Sequence, residues 1–180
     1  MKTLYVIVVG LFLSLTTKAQ TFTLKSSDLQ GQATHKQVYN GFGCTGSNIS
    51  PQLSWENAPQ GTKSFAIVMY DPDAPTGRGW IHWTVFDIPA GTKELKSGSG
   101  DTSKTTLPKE IIQGIADYGT YGYGGPCPPE GDKPHKYEIT VFALKTEKLG
   151  LDKNANPSLV GFYINANMLA KATLTAYYQR

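Results

Sequence analysis

Thirteen consecutive positions, Asp71 to Trp83, read DPDAPTGRGWIHW and gather two carboxylates, an arginine, a histidine and two tryptophans among two prolines and two glycines. That is too polar for a core and too rigid for a linker. A second polar stretch, GGPCPPEGDKPHKY at 124 to 137, closes on His135 and Tyr137. If the two stretches meet, Asp71 can accept the proton of one imidazole and set its tautomer. The remaining ring nitrogens and the Tyr137 hydroxyl are then left to bind an oxyanion. Backbone amides at Gly124 and Gly125 could add donors. A blander arrangement has each histidine capping its own strand end, and sequence separation does not exclude it.

Other chemistries fit less well. A metal site could draw on Asp71, Asp73, His82 and His135, but their spacing is no zinc pattern, and HExxH and CxxC are both missing. No serine stands in GxSxG, and the glycine-rich loop lacks the Lys-Ser/Thr pair of a phosphate loop. Asp71, His82 and His135 could serve acid–base hydrolysis, yet no nucleophile accompanies them. His35, the third histidine, fits a surface role in a short polar strand.

The elements that must position these groups are strands. Ser64 to Tyr70 (SFAIVMY) is β-branched and aromatic, which predicts a buried strand delivering Asp71 at its end. The exit, WIHWTVFDI, alternates. Period-two geometry puts Trp80, His82, Thr84 and Phe86 on one face and Ile81, Trp83, Val85 and Asp87 on the other. Pro72 and Pro75 restrict the connecting loop and aim the carboxylate. His135 to Leu144 (HKYEITVFAL) predicts a strand with His135, Tyr137, Ile139, Val141 and Ala143 on one face. Further strands are expected at Thr21 to Lys25, His35 to Tyr39, Leu53 to Trp55, Ile111 to Ala116 and Thr173 to Tyr178. Asn156 and Pro157 open an apolar helix running through LVGFYINANMLA. Lys93 to Lys109 reads as a solvated excursion without a core face, and Asp117 to Pro134 as an ordered loop.

At 180 residues the chain suits one domain with a sizeable core. Residues 1–19 combine Lys2, an apolar run from Leu4 to Leu15 and Thr17-Lys18-Ala19, which predicts a signal peptide cleaved after Ala19, with the domain over 20–180. The run is shorter than the roughly 18–20 residues that cross a bilayer, so no stable membrane insertion is expected afterwards. Cleavage removes two lysines and takes the formal charge from +3 to +1. No basic stripe remains for nucleic acid. Cys44 and Cys127, the only cysteines, are most simply a disulfide in a periplasmic or secreted chain. Asn48-Ile49-Ser50 matches a glycosylation acceptor, but Pro51 follows, and chance occurrence is the better reading.

DPDAP at 71 to 75, GRGWIHW at 77 to 83 and GGPCPPEGDKPHKY at 124 to 137 together resemble the phosphatidylethanolamine-binding protein family, in its bacterial Raf kinase inhibitor-like branch. SPQLSW at 50 to 55 and NPSLVGFYINANMLAKATLTAYY at 156 to 178 fit the same branch. The resemblance implies a mainly β fold of two antiparallel sheets, sandwich-like, with a few peripheral helices and an anion pocket at the sheet edge. It places the pocket residues on Asp71, Pro75, Trp80, His82, Pro128, His135 and Tyr137. Three departures stand out: Cys127 replaces a glycine of many relatives, Ile81 a histidine of the animal members, and a strand-like segment their C-terminal helix.

The expectation is an exported protein that binds a phosphate, a phosphomonoester or a phospholipid head group, without catalysis and without a cofactor or metal. The alternative is a protein-interaction module that inhibits a protease or kinase through the surface around the same pocket.

Overall fold

The computed structural model describes residues 20–104 and 106–180. The expected signal peptide lies outside them. In chain order the elements are β1 (Thr23–Lys25), β2 (Asn40–Gly41), β3 (Cys44–Thr45), β4 (Leu53–Glu56), β5 (Ser64–Asp71), β6 (Trp80–Pro89), β7 (Glu94–Leu95), β8 (Ile112–Gln113), β9 (His135–Leu144), α1 (Pro157–Asn167) and β10 (Met168–Tyr178). They form an antiparallel five-stranded sheet ordered β10-β9-β5-β6-β8, a three-stranded sheet ordered β1-β4-β7, and the small β2-β3 hairpin.

The main core lies between the two larger sheets. Phe65, Ile67, Met69, Trp83, Val85, Tyr137, Ile139 and Val141 of the five-stranded sheet meet Leu24, Leu53, Trp55 and Leu95 of the other. A second cluster on the opposite face joins Ala66, Phe86 and Leu144 to Val160 and Ile164 of α1. Both faces of β5 and β6 are therefore covered, which explains their nearly unbroken apolar content. Asn156 caps the helix, its side-chain oxygen accepting from the Ser158 amide at 2.8 Å.

Strict alternation fails in β6, with a physical cause. Met69 pairs with Trp83 but Tyr70 with Ile81, so one extra residue, His82, is inserted opposite β5. A second irregularity sets Phe65 against Ile88 and Ile67 against Val85, and Asp87 there has φ 59°. A bulge turns the residues beyond it to the other face. Between the two bulges alternation holds as expected: Trp83 and Val85 share the core side with Tyr137, while Phe86 faces α1. The expected grouping of Trp80 and His82 with Thr84 and Phe86 is replaced by one in which the bulge turns Trp80 and His82 toward Asp71.

Other boundaries move too. Residues His35 to Val38 form a turn rather than a strand, closed by the Gln37 and Val38 amides on the Thr34 carbonyl. The strand expected over Ile111 to Ala116 shrinks to two residues. Residues 93–109 do have a core face, through Leu95 and the buried Ser99. The helix stops at Asn167, and β10 runs eleven residues alongside β9.

Candidate functional site

Because β5, β6 and β9 are antiparallel neighbours, the end of the first and the starts of the other two lie at one rim of the sheet. Asp71, Trp80 and His135 occupy those three positions. Between them opens a cavity of about 170 Å³ whose wall includes Asp71, Pro75, Trp80, His82, Pro128, His135 and Tyr137. Seven of the eight expected ligand-binding positions are thus brought around one space. The eighth, Gly125, is not on the wall: its amide donates to Asn48 Oδ1 at 2.8 Å and its carbonyl accepts from Tyr118 Oη. The Gly124 amide is likewise spent, on the His82 carbonyl. The expected amide donors at 124 and 125 therefore brace the loop, and the pocket's donors are side chains.

Asp71 is 3% exposed. Its Oδ1 accepts the Asp73 and Ala74 amides at 2.8 and 3.1 Å, which folds the DPDAP turn back over the strand end. Its Oδ2 accepts from His135 Nδ1 at 2.8 Å, with both side chains buried. Nδ1 must hold a hydrogen to make this bond; Nε2 lies 3.4 Å from Asp132 Oδ2, a contact that is a hydrogen bond only when the ring is doubly protonated. Asp73 clamps the turn onto β9, accepting the Lys136 amide at 2.9 Å and Lys133 Nζ at 3.1 Å. Those donors, the amide first, hold the Asp73 carboxyl below its usual range.

His82 is also buried, and its Nδ1 donates to the Gly124 and Gly125 carbonyls at 2.8 and 3.1 Å. Burial outweighs these bonds and lowers its pKa to about 4, so the ring is neutral near pH 7. Tyr137 packs edge-on against His82, ring centroids 5.1 Å apart, and lies 6.5 Å from the His135 ring. Burial pushes the Tyr137 hydroxyl pKa well up, so it stays a donor. Among the described residues neither the Tyr137 hydroxyl nor Trp80 Nε1 has a hydrogen-bond partner, although both atoms are buried. Unpartnered buried donors are uncommon and costly. Two of them belong to residues of one cavity wall.

The remaining wall is largely apolar: Phe42, Ala74, Tyr118, Cys127 and Pro129 join the two proline positions, with Thr76 the one aliphatic hydroxyl, donating to the Gly79 carbonyl. Sequence reading placed the loop around Pro126 to Pro129, and so Cys127 and Pro129, at the pocket, but did not single out Phe42, Ala74 or Tyr118. Tyr118 stacks on Tyr39 at 4.0 Å and meets Trp80 edge-on at 5.3 Å. Its signal was weak, one of several aromatics in a glycine-rich loop. Phe42, at φ 52° between two glycines, gave none. The disulfide Cys44–Cys127, with Cα atoms 6.0 Å apart, carries the β2-β3 hairpin to the second loop and so places both Phe42 and Cys127 at the pocket. Asn48 stabilises the same loop from behind, its amide also donating to the Tyr123 carbonyl at 3.2 Å. Asp71, His82 and His135 of the alternative metal set line the same cavity, but no cluster of three or more histidine, cysteine or acidic side chains suited to a metal occurs among the described residues.

By fold and site this is a two-sheet β protein with a small, deep pocket on one rim. The family description phosphatidylethanolamine-binding protein matches residues 25–179. YbcL of Escherichia coli is 48% identical over 181 residues, 99% of each chain, and YbhB of the same organism is 43% identical over 157 residues, 86% of this chain and 98% of that one. The crystal structure of Escherichia coli YbcL superposes with a TM-score of 0.86 at 49% identity, covering 88% of this chain and 98% of that one. The chain belongs to the phosphatidylethanolamine-binding protein family.

Proposed function

We propose that this protein is exported and binds a small oxyanion, a phosphate or a phosphate ester, at the rim pocket, without transforming it. The observation that carries the reading is the pair of buried, unpartnered donors, Trp80 Nε1 and Tyr137 Oη, on the wall that also holds the Asp71–His135 pair. Buried donors already held in place bind a charged oxygen with little reorganisation. A cavity of about 170 Å³ suits a group the size of a phosphate with a short substituent against the prolines. The disulfide supports an oxidising compartment. Calorimetric titration with inorganic phosphate and a phosphomonoester tests it. His135→Ala, which frees Asp71 from its imidazole, weakens binding roughly ten- to a hundredfold. Unchanged affinity in that variant removes His135 from the site.

A second reading has one observation behind it. Phe42, at the cavity mouth, is 69% exposed, an apolar side chain that a protein target would cover. Pull-down from the native source with and without phosphate as competitor separates a protein partner at this mouth from a small ligand alone.

A further inference from the structure

None of the described residues lining the cavity is a lysine or an arginine, while the Asp71 carboxylate is part of the wall. Lys133 stays at the rim, paired with Asp73 and largely exposed. Arg180 lies against the Phe42 carbonyl and the disulfide sulfurs, 3.4 Å from the nearest of them. A dianion in this space would sit beside a carboxylate with no fixed cation on the wall to offset the repulsion.

The tautomer of His82 adds a second constraint. Both partners of its Nδ1 are carbonyl oxygens, which only accept, so Nδ1 carries the hydrogen. The neutral ring then presents a bare lone pair at Nε2, and the hydrogen bonds the ring makes are confined to Nδ1. The titratable and charged groups around it are Asp71 at the end of β5, His135 and Tyr137 on β9, and Asp117 and Tyr118 in the loop after β8. Burial prevails over the nearby carboxylates and keeps the ring uncharged down to about pH 4. Among the wall residues, Tyr137 Oη and Trp80 Nε1 are thus donors without a partner among the described residues, and His82 Nε2 is an acceptor rather than a third donor.

We infer that the pocket selects the protonated monoanion of a tetrahedral phosphorus oxyacid, its acidic O–H donating to His82 Nε2 while its charged oxygens accept from Tyr137 Oη and Trp80 Nε1. This rests on the anion-binding reading above and narrows it. A phosphomonoester has such an O–H only below its second ionisation, near a pKa of about 6; inorganic phosphate keeps one O–H on its dianion, and there the second charge beside the Asp71 carboxylate disfavours binding. A phosphodiester, the form found in membrane phospholipids, has none, and neither has sulfate. A site with a buried acceptor rejects analogues that leave it unpaired.

The test is calorimetric titration of the intact protein across mildly acidic to mildly basic pH with phosphate, fluorophosphate, methylphosphonate, dimethyl phosphate and sulfate. Affinity for phosphate falls about tenfold per pH unit above its second ionisation, as the competent species is depleted. The midpoint moves to lower pH for the more acidic fluorophosphate and to higher pH for methylphosphonate. Dimethyl phosphate and sulfate bind at least about tenfold more weakly than phosphate at the acidic end. His82→Asn, whose amide keeps a donor toward the two carbonyls but withdraws the Nε2 acceptor, abolishes the preference for phosphate over sulfate. One midpoint shared by all titrating ligands, or sulfate and the diester binding as tightly as phosphate, overturns the inference and leaves anion binding standing. No binding by any of the five overturns both.

Discussion

Replacing Tyr137 by phenylalanine separates a ligand donor from a structural hydroxyl. The Tyr137 side chain is fully buried, its ring packed between the His82 and His135 rings, and its hydroxyl bonds to no described residue. Tyr137→Phe keeps the ring and those contacts, so no protein hydrogen bond is lost, and the unliganded protein changes stability by less than about 1 kcal/mol. Donation to a charged oxygen is worth about 1.5–3 kcal/mol. Phosphate affinity should therefore fall roughly ten- to a hundredfold, with the loss expressed in the bound state alone. Urea denaturation with and without saturating phosphate, beside direct calorimetry, reads both quantities from the same preparation. Unchanged affinity, or a loss of more than about 2 kcal/mol in the unliganded protein, refutes the assignment of this hydroxyl to a ligand.

His82 supplies a pH signature. Its folded pKa of about 4 lies below the ordinary value of 6.5, so the unfolded chain takes up the proton first. The resulting stability is fully present above about pH 6.5 and is lost as pH falls toward 4, by about 3 kcal/mol in all. Denaturation midpoints at pH 7 and pH 4.5 should diverge more for the native protein than for His82→Asn; equal slopes would contradict the burial argument. Breaking Cys44–Cys127 with reductant should cost roughly 2–5 kcal/mol, because the bridge spans 83 residues of chain. Unfolding curves with and without reductant check it. Asn48→Ala removes the acceptor for the Gly125 amide and the donor to the Tyr123 carbonyl at a residue with φ 51°. A loss of about 2–4 kcal/mol is expected by thermal or urea unfolding.

The strands that carry the site were legible because composition and period agreed. Ser64–Asp71 and His135–Leu144 were bounded to within a residue from β-branched content, alternation and flanking prolines. In β6 the separation of Trp83 and Val85 from Phe86 was legible, but the side taken by Trp80 and His82 was not, because a bulge adds a residue without altering composition, and only the pairing partner shows that His82 is the extra one. The helix end was misread for a related reason. NANMLA continues the apolar run of α1, but the chain turns extended at Met168, where tertiary pairing with β9 overrides local preference. At the site, proline-flanked charged residues pointed to Asp71, His82 and His135, since such loops hold side chains rigidly. Phe42 and Tyr118 reach the cavity through a disulfide and an aromatic stack between distant segments, which no local pattern reveals.

The most direct test of the pocket uses the three tryptophans as reporters in one experiment. Indole N–H signals of the ¹⁵N-labelled protein are followed by nuclear magnetic resonance during titration with phosphate at mildly acidic pH. Trp83 Nε1 already donates to Gln113 Oε1 at 2.9 Å, and Trp55 lies buried in the core between the sheets. Only Trp80 Nε1 is on a residue of the cavity wall. A saturable downfield shift of the Trp80 signal, with Trp55 and Trp83 unmoved, is the result expected. A Trp80 signal that stays still at saturating phosphate contradicts the account.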